Sequence, residues 1–392
     1  MSRITLLYPS RNTVHRLFKD LALLAFLFLF AACRPAETPP PEDALPDLTT
    51  LQSGWNMLEP GGETICSNGT PFAFYVRPGN PEKLLLYFQG GGACWFGEIC
   101  DLEMTPSYDP VVDENDHPAM RSGIFDYANS ENPFTSYSAV FIPYCTGDVH
   151  VGNRVATYPV AATDSTDAHE VTIHHKGHTN VKAVLDWTFA NIEAPNTVFI
   201  AGSSAGAFPS VFYLPHVAEQ YPNAHIAQLA DAAGGYRGMD YPAVNEAWGT
   251  LSVVPDFPEF EGFTPENSLL EDYLVASAHR YPNRTLTQYN TAGDDVQLQF
   301  LALGGITDTP LIDLIEANFA DIRGSVDNFR AFTAGGTVHT ILTRPEFYTY
   351  QAAGVRFLDW VVKLANNEPV DDVRCANCET ATLYEGDAME TE

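Results

Sequence analysis

Apolar residues along this chain fall into two alternating patterns. Short unbroken runs have the length of strands: Leu84-Leu85-Leu86-Tyr87-Phe88, Ala139-Val140-Phe141-Ile142, Thr197-Val198-Phe199-Ile200, Ile226 to Leu229, and Leu286 to Tyr289. Elsewhere the apolar positions spread out. Val181, Val184, Leu185 and Ile192 recur at helical intervals, and the stretches Leu269–His279, Leu311–Ile322 and Val355–Leu364 read as helices. A strand apolar at every position must be covered on both faces, and the alternating helices supply that cover. The pattern predicts an α/β protein with a mostly parallel central sheet. Reactive groups in such sheets gather at the carboxyl ends of the strands.

The unusual residues lie there. Gly202-Ser203-Ser204-Ala205-Gly206 follows the run ending at Ile200 and precedes a helical stretch. That is the G-x-S-x-G context of a nucleophile elbow, in which small flanking residues allow a sharp strand-to-helix turn and expose the Ser204 hydroxyl. An α/β-hydrolase fold is therefore expected, with helices on both faces. An acyl-transfer serine also needs amides aimed at the developing oxyanion. Gly90-Gly91-Gly92-Ala93 follows an early strand, so the expected donors are Gly92, Ala93 and Ala205. The base of this fold comes last in chain order, and His339 is the only histidine after His279. His174, His175 and His178 form an alternative histidine cluster, expected in a loop and at a helix start. For the acid, Asp231 and Asp294 both follow strands after Ser204, and Asp295 leaves the register open by one residue.

The N-terminus changes the picture of where the protein works. Basic residues Arg3, Arg11, Arg16 and Lys19 precede the apolar run Leu21 to Phe30, and Ala31-Ala32-Cys33 follows. This reads as a signal peptide over 1–32, with Cys33 resembling the lipidated cysteine of a bacterial lipobox. Residues 33–49 are rich in proline and acid and read as a tether. The catalytic domain is expected over 50–367, with a C-terminal tail over 368–392. Export suits the cysteines: six of the seven remain after Cys33, an even number for an oxidising compartment. Cys94 and Cys100 are close in sequence, Cys375 and Cys378 form a C-x-x-C, and Cys66 and Cys145 pair by elimination. No further ligands at familiar spacing support zinc at Cys375 and Cys378. The formal charge of −30 excludes a nucleic-acid footprint. It also predicts repulsion of a polyanionic substrate unless a local basic groove overrides the global field.

The motifs together resemble the pectin acetylesterase/Notum family of extracellular serine carboxylesterases. Cys66-Ser67-Asn68-Gly69-Thr70-Pro71 is similar to the family's Cys-x-Asp-Gly-Ser-Pro, and Gln89-Gly90-Gly91-Gly92-Ala93-Cys94 to its Glu-Gly-Gly-Gly-Trp-Cys. Pro143-Tyr144-Cys145, Ala201–Gly206 and Ala230–Gly234 have counterparts in order, and Asp294-Asp295-Val296-Gln297 resembles its Asp-x-x-Gln. The resemblance implies Asp294 as triad acid. Ala93 stands where the family has a pocket-lining tryptophan, and Gln89 and Ala207 stand for Glu and Gly, so the acyl pocket is expected to differ.

The expected function is that of a serine carboxylesterase cleaving O-acyl, chiefly O-acetyl, esters of extracellular polysaccharide without a metal or organic cofactor. Its location would be the cell envelope, as a lipoprotein touching the membrane only through its anchor, or the medium. Two alternatives stand beside it: a lipase or polyester-type esterase for longer chains, and a non-catalytic binding module.

Overall fold

A computed structural model describes residues 45–384 apart from 105 and 165. The expected signal peptide, the Cys33 lipidation and the end of the tail lie outside the described residues. Among the described residues nine strands build the main sheet: β1 (Asn56–Leu58), β2 (Phe74–Arg77), β3 (Asn80–Phe88), β4 (Tyr137–Ile142), β7 (Thr197–Ser203), β8 (His225–Asp231), β9 (Leu286–Thr291), β10 (Phe329–Ala334) and β13 (Val373–Arg374). Their spatial order is β1-β2-β4-β3-β7-β8-β9-β10-β13. The β1/β2 and β2/β4 pairs are antiparallel, and every pair from β4/β3 to β10/β13 is parallel. An α/β-hydrolase-type sheet results, as the apolar runs predict.

Alternation along the strands divides the core between the two faces. Leu84, Leu86, Phe88, Val198 and Ile200 face one helical layer. It contains α2 (Gly177–Asn191), α3 (Ala207–Phe212), α4 (Leu214–Gln220), α6 (Leu270–Arg280) and α8 (Leu311–Ser325). Leu85, Tyr87, Phe199, Ala201 and Leu229 face the other, where α9 (Phe357–Ala365) packs Phe357, Trp360 and Val361 against Tyr289 and Phe332. Fully apolar strands are thus covered on both sides, which is why they read as continuous runs.

Three features differ from the sequence expectation. His174 and His175 end strand β6 (His169–His175), which pairs antiparallel with β5 (Arg154–Val160) in a separate hairpin, and do not lie in a loop. Six of the hairpin's fourteen strand positions are exposed, which hides it among polar residues. The packed body begins before residue 50: Leu48 N donates to Asn191 Oδ1 (2.7 Å) and Trp187 Nε1 to the Pro46 carbonyl (3.1 Å). The C-terminal segment is likewise structural, since Val373–Arg374 add strand β13 and β14 (Thr382–Leu383) pairs with β11 (Tyr350–Ala352). The cysteines pair as Cys66–Cys145, Cys94–Cys100 and Cys375–Cys378. The first closes 79 residues, a loop long enough to remove about 4.5 kcal/mol of unfolded-chain entropy. No helix among the described residues is long and apolar enough to cross a membrane.

Candidate active site

Ser204 sits where β7 turns into a helical segment. Its φ of 55° is left-handed, a conformation costing a non-glycine residue about 1–3 kcal/mol and held only when its surroundings demand it. A Cβ on Gly202 would collide with the Gly206 carbonyl, and one on Gly206 with the Phe88 carbonyl. The two glycines are therefore required by close backbone packing. Gly90 lies against Ser203 and Ser204 in the same way, so the glycine-rich turn after β3 is pressed onto the elbow. Gly92, Ala93 and Ala205 line one cavity together with Ser204.

His339 lies in the loop after β10, and Thr340 beside it has a left-handed φ of 60°. Its Nδ1 donates to Asp294, at 2.9 Å from Oδ1 and 2.8 Å from Oδ2. Nε2 is buried and makes no hydrogen bond, and it belongs to a cleft that Ser204 also lines. Asp294 is fully buried and caps α7 (Asp295–Leu303). Oδ1 accepts from the Val296 and Gln297 amides (3.0 Å each), and Oδ2 from Gln297 Nε2 (3.0 Å). Helix amides and a side-chain amide thus stabilise the carboxylate, and the carboxylate fixes the histidine tautomer with Nε2 free to accept a proton. Asp295 is exposed.

Asp231 does something else. Its buried carboxylate accepts from Ser203 Oγ (2.6 Å), Ile341 N (3.0 Å to Oδ2) and Leu342 N (3.0 Å), and the Tyr87 hydroxyl donates to Ser203 Oγ (2.9 Å). It ties the elbow to the chain just beyond His339. Burial pushes its pKa up, while those hydrogen bonds oppose the rise. Sequence reasoning saw Asp231 only as a competing acid; its anchoring role has no linear signature.

The histidine cluster is absorbed into the packing. His175 contacts the Thr146 carbonyl through Nδ1 (3.0 Å) and the Tyr158 hydroxyl through Nε2 (2.8 Å), and burial lowers its pKa to about 4. His178, at the start of α2, meets the Tyr213 hydroxyl through Nδ1 (3.1 Å). Among the described residues the one group close enough to hold a metal is Cys94, Cys100 and His175, and the disulfide leaves it no thiolate.

Two cavities meet at Ser204, and neither was legible beforehand. One, of about 120 Å³, is walled by Trp95, Phe208, Trp248 and Phe300 besides Gly92, Ala93 and Ala205; α5 (Tyr241–Trp248) supplies Trp248. The other, of about 560 Å³, is polar, lined by Gln89, Arg121, Ser122, Thr343 and Arg344 as well as His339. Arg121 donates to the Asn115 carbonyl (2.9 Å), and Arg344 Nε lies 3.5 Å from Thr340 Oγ1. Among the described residues neither guanidinium pairs with a carboxylate. Gln89, where the resembling family has Glu, donates to Asp116 Oδ1 (2.6 Å).

Comparison with known proteins adds to this geometry. The chain is 28% identical over 180 residues to the human palmitoleoyl-protein carboxylesterase NOTUM, covering 43% of this chain and 33% of that protein. It is 29% identical over 161 residues to notum2 of Xenopus laevis, covering 39% and 30%. A shorter relative, the inactive notum1b of Danio rerio, is 29% identical over 96 residues, or 24% of this chain and 68% of that one. The match to the human protein thus spans a third of that protein's length. The pectinacetylesterase family profile matches residues 54–253, a span that holds Ser204 and the glycine-rich turn but ends before Asp294 and His339. With just over half of its length matched from the first disulfide to beyond the elbow, the chain belongs to the pectinacetylesterase family.

Proposed function

We propose that the protein is a serine carboxylesterase acting on O-acyl esters of a polar alcohol such as a sugar hydroxyl, with Ser204, His339 and Asp294 as its triad. The observation that carries this reading is the state of His339: Nδ1 is held by Asp294, while Nε2 is buried, unpaired and in the cleft shared with Ser204. Nε2 takes the Ser204 proton as Oγ attacks the ester carbonyl. The Gly92, Ala93 and Ala205 amides hold the oxyanion, and Asp294 stabilises the imidazolium. The alcohol leaves with that proton, and water releases the acyl group by the reverse sequence. An intact triad argues against a purely non-catalytic module.

The apolar cavity favours an acyl group longer than acetyl. An engineered cavity of about 150 Å³ accommodates benzene, so about 120 Å³ suits a chain of about four to six carbons. Each buried methylene contributes about 0.8 kcal/mol, or roughly fourfold in rate. On 4-nitrophenyl esters kcat/KM should climb from acetate to butyrate or hexanoate and fall at palmitate. Ser204→Ala should lose about 10⁴-fold or more of kcat and all labelling by a fluorophosphonate. A variant keeping a tenth of the activity rules out this nucleophile, and a maximum at palmitate favours a lipase reading.

A further inference from the structure

The C-x-x-C near the C-terminus has no place in the proposed chemistry, yet it is built against the loop that carries His339. Strand β13 adds to the edge of β10, with Val373 opposite Phe332 and Arg374 opposite Thr333. The chain then turns through the Cys375–Cys378 disulfide. Cys375 N donates to the Thr333 carbonyl (2.9 Å), and Gly336 N donates to the Cys378 carbonyl (3.1 Å). The turn therefore grips both ends of the segment that leads from β10 to His339. It does so at close range. A Cβ on Gly335 would collide with the Thr380 and Asn377 carbonyls, and Gly336, at φ 93°, lies against Ala381.

The gripped segment also holds the acid. The Gly336 carbonyl accepts from Gly293 N (2.9 Å) and the Thr337 carbonyl from Asp295 N (3.2 Å), so both neighbours of Asp294 hang from it. A continuous path of backbone hydrogen bonds thus runs from the disulfide turn to the His339–Asp294 pair. Its flanks are held by the β13 and β14 pairings and by the Arg374–Glu316 ion pair, but from Arg374 to Tyr384 only Cys375 is buried, so the turn between those flanks is closed mainly by the disulfide. We propose that the Cys375–Cys378 turn is a positioning clamp for His339, closed by the disulfide and opened by a dithiol reductant. The inference rests on the reading of Ser204, His339 and Asp294 as the triad.

The three disulfides differ in access. Cys66, Cys145, Cys94 and Cys100 are all buried, whereas Cys378 is partly exposed. A thiolate of the reductant attacks Cys378 Sγ, the S–S bond breaks and Cys375 leaves as a thiolate that takes up a proton. The reductant's second thiolate then attacks its own sulfur in the mixed disulfide and releases Cys378. Two electrons and two protons pass to the protein, and the reductant ends as its disulfide.

Graded dithiothreitol treatment of the full chain tests this, with alkylation mapping which cysteines have opened and 4-nitrophenyl butyrate as substrate. Opening of Cys375 and Cys378 alone should lower kcat about tenfold or more, because ångström-scale misplacement of a catalytic group costs up to about 100-fold. KM should stay within roughly twofold, since the turn touches neither substrate cavity. Reoxidation should restore kcat, and Cys375→Ser/Cys378→Ser should reproduce the reduced enzyme and ignore the reductant. Unchanged kcat after selective opening overturns the clamp, as does a loss that appears only when the buried cysteines become alkylated. Fluorophosphonate labelling of the oxidised protein separates the two readings. Labelling and turnover without redox sensitivity sinks the clamp alone; neither labelling nor turnover sinks the triad and the clamp with it.

Discussion

Three aspartates compete on paper for one role, and their surroundings assign them three. Asp294 touches His339, Asp231 ties Ser203 to the backbone beyond His339, and Asp295 faces solvent. Asp294→Asn should cut kcat by about 10⁴, because an amide cannot hold the histidine in the productive tautomer. Asp231→Asn keeps an acceptor for the Ile341 and Leu342 amides, so its kcat should fall far less. Its main cost should be stability, about 1–3 kcal/mol for weakening buried hydrogen bonds to a charged group. Asp295→Asn should do nothing measurable. Steady-state kinetics with urea unfolding on the three variants checks the ranking; a larger kcat loss at Asp231 than at Asp294 would move the acid to β8. The order of residues allows either strand, and only the fold brings one of them to the imidazole.

The turn between β7 and α3 presents the proposed nucleophile, and its composition is dictated by neighbours distant in sequence. Gly206 has an ordinary helical backbone, with φ −77°, so its requirement is steric and comes from the Phe88 carbonyl. Gly206→Ala should therefore destabilise by about 1–3 kcal/mol, as overpacking does, and displace Ser204 together with the Gly90–Gly92 turn. Urea denaturation and the initial rate on an aryl butyrate measure both effects; wild-type values for both would show that the elbow tolerates a side chain. Segments with an unbroken apolar run, such as 84–88 of β3, 139–142 of β4 and 198–201 of β7, were readable because burial on both faces leaves little room for polar side chains. The β5–β6 hairpin and the β13 edge strand were not, because one is half exposed and the other is two residues long.

For the protein as a whole, charge sets the approach of substrate. A net −30 predicts that a polyanionic ester is repelled, with kcat/KM rising as salt screens the field. Arg121 and Arg344, brought into the polar cleft from positions far apart in sequence, form the local exception. Near the reacting serine their field should dominate, so kcat/KM on an acylated polyuronate should fall as ionic strength grows and the Debye length shrinks from roughly 10 Å at 0.1 M to roughly 3 Å at 1 M. In Arg121→Gln/Arg344→Gln the slope should reverse, while a neutral aryl butyrate shows little salt dependence in either protein. A rising slope in the wild type would mean that the global charge prevails and that neutral acylated glycans are the better substrates.

The chain's own order of residues determined the class of sheet, the elbow serine, the glycine-rich turn and the last histidine. Each is a local requirement: strand burial, a tight turn, and backbone amides at a strand end. What the tertiary structure alone decided is everything made by meeting. Asp294 was separated from Asp231 by which carboxylate reaches Nδ1. The apolar cavity beside Ser204 gathers Trp95, Phe208, Trp248 and Phe300 from four separate segments. The C-x-x-C acquired a neighbour in Gly336. Periodicity reports which side of an element is buried, but a contact between residues far apart in sequence depends on how the elements pack.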